Sequence, residues 1–131
     1  MRMALHACGI TRSEKQIAYF LKTNKIRGTW ARNFPLVAEK FKLNYQIKRN
    51  ATISDLKRLL SEQYIIIVAY MYPPEKVDHY SVVRKIDKNN IYFWDPYFGA
   101  DHKYTLKYFG TIWKSDPKYD NENAWFIAVK K

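Results

Sequence analysis

Residues 64–70 read YIIIVAY, a seven-residue run that is nearly all apolar. It is too short for an apolar helix of ordinary length and rich in β-branched side chains. Both features favour a strand buried on its two faces. A chain with such a strand at its middle has to place other elements around a sheet.

The stretch that follows supplies more of that sheet. Residues 79–95 read HYSVVRKIDKNNIYFWD. Tyr80 to Ile86 is largely β-branched and apolar. Asp87, Lys88, Asn89 and Asn90 are turn chemistry, because Asn and Asp tolerate positive φ and bond their own backbone. Ile91, Tyr92, Phe93 and Trp94 are strand material, and Pro96 stops the ladder. The hairpin returns Asp95 towards His79, and a carboxylate beside an imidazole fixes its tautomer and stabilises its cation. Spacing sets a condition on that contact. A loop centred near residues 88–89 pairs His79 with a residue near 98 and leaves Asp95 about three residues short. At about 3.3 Å per residue the offset is about 10 Å. Contact needs a bulge, a longer loop or strong strand coiling. Spacing alone favours a plainer reading, with His79 at a strand end and Asp95 capping the turn at Pro96.

At 131 residues the chain reads as one domain, residues 1–131, long enough to bury a core. A hydrophobic content of 47% with 17% aromatic argues against disorder. No run reaches the length of a transmembrane helix. One cysteine excludes an internal disulfide framework and any Cys-rich zinc site. The net charge of +11 admits nucleic acid or an acidic surface as a partner. Lys and Arg are spread along the chain, however, with no RNP, zinc-finger or helix-turn-helix signature. A composition rich in Lys, Asn, Ile and Tyr accounts for the charge without a partner.

Taken in order, Met1, Ala4, Leu5 and Cys8 form one helical face, already running at Met1 and ended by Gly9. The element looks started part-way along. Ser13 and Gln16 form a capping box for a helix burying Ile17, Phe20 and Leu21. Gly28-Thr29 is a break. Asn33 reads as the N-cap of a helix carrying Phe34, Val37, Ala38 and Phe41. Residues 43–48 alternate as a short strand. Thr52 and Asp55 form a second capping box, ahead of Leu56, Leu59 and Leu60. Residues 71–78 read as a loop and Gly99 as part of a turn. Leu106, Phe109, Ile112 and Trp113 give a short helix, residues 116–123 a polar linker, and residues 125–129 a last strand. The expected helices are 1–8, 13–23, 33–42 and 53–62, and an antiparallel sheet should include 64–70, 79–86, 91–95 and 124–129. Helices first and strands later indicate α+β.

This order resembles the papain-like cysteine peptidases, and most closely the C39-like peptidase family, which includes the leader-peptide peptidases of bacteriocin exporters. The resemblance rests on Ala7-Cys8-Gly9, on Ser13 to Ile17, on Gly28, on His79-Tyr80-Ser81-Val82-Val83, on Asp95-Pro96-Tyr97-Phe98-Gly99, and on Phe109 with Trp113. It covers essentially the whole chain. It implies an α+β fold with N-terminal helices packed on an antiparallel sheet, thiol-dependent peptide hydrolysis with no cofactor, and a peptide or protein substrate. It also implies that His79 is general base and then general acid, and that Asp95 orients it.

One departure matters. The family's nucleophilic cysteine, and the glutamine that supplies an oxyanion donor, align several residues ahead of Met1. The domain is therefore expected to be N-terminally incomplete or inactive as this chain, and a peptide-binding pseudo-peptidase is the alternative. Cys8 sits at the end of its helix, on the apolar stripe, instead of heading it. A reactive thiol wants a helix N-terminus, so Cys8 reads as a small buried hydrophobe. His6, off the apolar stripe, is expected to be exposed, and His102 to lie in a polar loop. With no paired Cys and no HExxH, neither suggests a metal. Asp78 should point to the other side of the strand from His79 as a solvated neighbour.

Overall fold

A computed structural model describes residues 2–22, 31–72, 77–95, 99–115 and 122–131. The break at Gly28-Thr29, the Pro73-Pro74 segment and most of the 116–123 linker lie outside the described residues.

The helices begin and end for local reasons. In α1 (Arg2–Ala7), Ala4 and Leu5 are buried, and so is Cys8 just beyond the helix. Gly9 ends it at φ 80°, with the Gly9 N–H on the His6 carbonyl (2.9 Å) and the Ile10 N–H on the Leu5 carbonyl (2.9 Å). That crossed pair is a Schellman cap, whose left-handed residue suits glycine. Capping boxes start α2 (Glu14–Phe20) at Ser13 and α4 (Ile53–Ser61) at Thr52, as expected. Bonding to the Thr52 backbone, then to Lys48, holds the Asp55 carboxyl below its ordinary range. In α3 (Phe34–Lys40) the start differs from expectation. Asn33 occupies the cap position but makes no side-chain cap bond. Its Nδ2 instead donates to the Leu21 carbonyl (2.9 Å), so the amide satisfies the end of α2. The short helix α5 (Leu106–Ile112) is present, with Thr105 as its side-chain cap.

The strands are β1 (Asn44–Lys48), β2 (Ile65–Tyr72), β3 (Val77–Ile86), β4 (Asn90–Asp95), β5 (Gly99–Thr105) and β6 (Phe126–Lys130). Two expectations change. The 71–78 loop is shorter, because β2 and β3 extend to pair Tyr72 with Val77. Gly99 opens a strand, β5, that pairs with β4 throughout. The polar run from Asp101 to Lys103 hid an edge strand, on which Lys103 is exposed and His102 partly buried.

All pairings are antiparallel, in the order β1-β6-β2-β3-β4-β5. Strand β2 is covered on both sides, as its apolar run requires. Ile67 and Ala69 join Leu5, Ile17, Phe34, Val37 and Trp125 in a core under α1–α3. Ile66, Val68 and Tyr70 join Leu56, Leu59, Phe93 and Phe109 in a second core under α4 and α5. Two-residue periodicity assigns alternate positions to the two cores. Among the described residues, no helix is long and apolar enough to cross a membrane.

Candidate active site

The β3–β4 hairpin decides whether His79 can meet Asp95. Its turn is built as the sequence suggests, with Asp87 Oδ1 accepting the backbone N–H of Asn89 (2.9 Å) and Asn90 (2.8 Å). Pairing starts at Ile86 with Ile91 and Lys85 with Tyr92. Continued without interruption, it would set Val82 across from Asp95 and turn His79 to the opposite face. Instead the register shifts between Val83 and Lys85, so that Val83 pairs with Phe93 and Val82 with Trp94. Arg84 is the extra residue of a β-bulge. Because side chains alternate, a one-residue shift exchanges the faces. Ser81 now stands across from Asp95, and His79 lies two places along on the same face. The offset is thus two residues where the spacing suggested three, a diagonal that an imidazole can bridge.

The contact is made. His79 Nε2 and Asp95 Oδ2 lie 2.6 Å apart, with Asp95 1% exposed and His79 9%. Ser81 Oγ also donates to Asp95 Oδ2, at 2.7 Å. Tyr70, paired with His79 across β2 and β3, brings its hydroxyl to 3.0 Å from Ser81 Oγ and 3.3 Å from Asp95 Oδ2. Burial pushes the Tyr70 hydroxyl far above its ordinary range; Ser81 opposes this and Asp95 adds to it. Tyr70 therefore remains a donor. Its ring packs edge-on to His79 (5.4 Å between centroids) and against Phe93 and Phe109, and Tyr72 lies 5.7 Å from His79 on the strand end.

His102 corrects the expected polar loop. It sits on β5 in register with Phe93, partly buried, with its ring 6.1 Å from that of Phe93. Burial lowers its pKa; Asp95 opposes the shift and His79 adds to it. Sequence reasoning also passed over Ser81 and Tyr70. The signal was a hydroxyl on the buried parity of each of two apolar strands, where a polar group is costly unless it is used.

The other candidates are elsewhere. Cys8 is buried in the core under α1–α3, on the sheet face opposite Tyr70 and His79. It borders a surface cavity of about 420 Å³ with Gly9, Gln63, Ile65 and Lys131. Ile65 is five residues along β2 from Tyr70, which is about 16 Å of strand. Burial pushes the Cys8 thiol up, against a smaller downward pull from Lys131. His6 is exposed, and Asp78 is partly exposed. Among the described residues no three His, Cys, Asp or Glu side chains gather as a metal site. Gly28 and residues 96–98 lie outside the described residues.

Known proteins bear on this arrangement. No curated protein matches the sequence. Among solved structures, the fold is similar to that of the peptidase domain of Streptococcus ComA, described as a bi-functional ABC transporter involved in quorum sensing. The TM-score is 0.75 at 19% identity, over 99% of this chain and 87% of that one. It is equally similar, at a TM-score of 0.75 and 14% identity, to a C39-like peptidase candidate from Bacillus anthracis, over 99% of this chain and 85% of that one. At such identities the likeness establishes the fold alone. The sequence adds the family: residues 1–121 match the model of the Peptidase_C39 like family, and the chain belongs to that family.

Proposed function

We propose that this chain carries the base and orienting halves of a cysteine-peptidase site, His79 and Asp95, within a single domain acting on a peptide or protein. The observation that carries the reading is the buried 2.6 Å contact between His79 Nε2 and Asp95 Oδ2. In that reaction His79 Nδ1 takes the proton of a thiol, which then attacks the scissile carbonyl. The imidazolium returns the proton to the leaving amine, while Asp95 stabilises the cation and holds the ring. The single cysteine, Cys8, is buried on the far sheet face and is not assigned the nucleophile's role. A thiol at the N-terminus of an extended α1 would gain from the helix dipole and from His79.

The test compares two proteins. The 131-residue chain should leave peptides uncut. Joined in register behind a segment of the Gln…Cys-Gly-Pro type, it should cleave them and be blocked by iodoacetamide. His79→Ala should abolish this cleavage, and Asp95→Asn should lower it by orders of magnitude. The placement of Cys8 also favours a second reading, a domain that binds peptides without cutting them. Peptide binding with no cleavage from the extended protein would select it. Cleavage by the chain alone, lost in Cys8→Ser, would overturn both.

A further inference from the structure

We infer that Ser81 and Tyr70 are positioning residues, a hydroxyl relay that holds Asp95 as a carboxylate aimed at His79 Nε2. The inference rests on the His79–Asp95 reading above and deepens it.

A carboxylate 1% exposed would neutralise itself unless donors replaced the lost water. Asp95 Oδ2 has three such neighbours: His79 Nε2 at 2.6 Å, Ser81 Oγ at 2.7 Å and the Tyr70 hydroxyl at 3.3 Å. Ser81 has one proton, and the geometry sends it to Asp95. The Tyr70 hydroxyl, 3.0 Å from Ser81 Oγ, then donates to that oxygen, with Asp95 as its longer acceptor. Every proton of the relay points towards Oδ2, an arrangement that favours the carboxylate, because hydrogen bonds to a charged acceptor are stronger than those to a neutral acid. The sheet supplies the frame: Ser81 and Asp95 lie just beyond the Val82–Trp94 pair of β3–β4, and Tyr70 pairs with His79 on β2–β3.

Packing does not ask for these hydroxyls. Ser81 is followed by Val82 and Val83, and a third apolar side chain would suit a strand buried at that point. Among the described residues, His102 and Tyr104 from β5 also interact electrostatically with Asp95. Burial raises the Tyr104 hydroxyl to about 12, so it is neutral near pH 7.

The test needs no nucleophile. On the 131-residue chain, the Asp95 carboxyl is followed by carbon NMR through a pH titration, and the His79 ring nitrogens by nitrogen NMR. Ser81→Ala should move the Asp95 titration up by about one pH unit, the worth of one hydrogen bond to a charged group. It should also reduce the fraction of the neutral ring that carries its proton on Nε2. Ser81→Thr, which keeps the hydroxyl, should restore both, and Tyr70→Phe should move both the same way by less. A folded Ser81→Ala protein with both signals unchanged would overturn the relay. Should Ser81→Ala fail to fold, Tyr70→Phe decides alone, and an unmoved Asp95 titration sinks the idea. If Asp95→Asn leaves the His79 ring signals unaltered, the pair itself fails and the proposed function with it. If Asp95→Asn alters them while Ser81→Ala and Tyr70→Phe do not, only the relay fails.

Discussion

Two side chains show how far residue type can mislead without position. Cys8 is the one thiol of a peptidase-family chain, yet its surroundings are Ala4, Leu5 and the apolar face of the sheet. Burial raises its pKa, so little thiolate is present near neutrality. Iodoacetamide should label Cys8 of the native protein slowly and incompletely, and quickly after unfolding. Rapid labelling that His79→Ala slows would make it the nucleophile instead. His102 was expected in a polar loop and is partly buried on β5. Its folded state favours the neutral ring, so the unfolded chain binds more protons once pH falls below the ordinary histidine value of 6.5. The stabilisation is therefore present above that value and lost as pH falls through it towards the lower folded value. Denaturant titrations should show stability declining as pH drops below about 6.5, and His102→Gln should flatten that decline.

The elements were largely legible. Ser13 with Gln16 and Thr52 with Asp55 marked two helix starts, and the 64–70 run marked the strand covered on both faces. Strand β5 was not legible, because the Asp101-His102-Lys103 stretch at a sheet edge has neither an apolar run nor a clear alternation. The bulge at Arg84 was foreseen only as a condition for contact. Nothing in VVRKI announces an extra residue, since register is a tertiary quantity. Its placement has a measurable effect on tolerance to insertion. The tip of the hairpin lies beyond both the bulge and the dyad. One added glycine between Lys88 and Asn89 should leave the His79 ring signals as in the parent and cost little stability. One added between Tyr80 and Ser81 would turn His79 to the opposite face. Loss of the Asp95-dependent ring signals there, but not at the tip, is the expected pattern; equal loss at both would contradict the register described.

At the scale of the molecule, β6 is decisive. It lies between β1 and β2, pairs with both, and supplies Phe126, Ile127, Ala128 and Val129 alternately to the two cores. Glu122, buried and bound by Arg49, fastens its approach to the end of β1, aided by the Asn50 N–H on the Asn123 carbonyl (2.8 Å). A version ending at Asn123 should lose cooperative thermal unfolding and dispersed amide resonances, because β1 is left without a partner and both cores lose a wall. A folded truncated protein would show that β1 and β6 are appended to an independent four-stranded unit. The strand order also bears on synthesis at the ribosome. β1 is made early, but among the described residues its neighbour in the sheet is β6, some eighty residues later in the chain. During translation β1 has to wait as an unpaired edge while β2 to β5 form beside it, and the sheet closes only when residues 126–130 emerge.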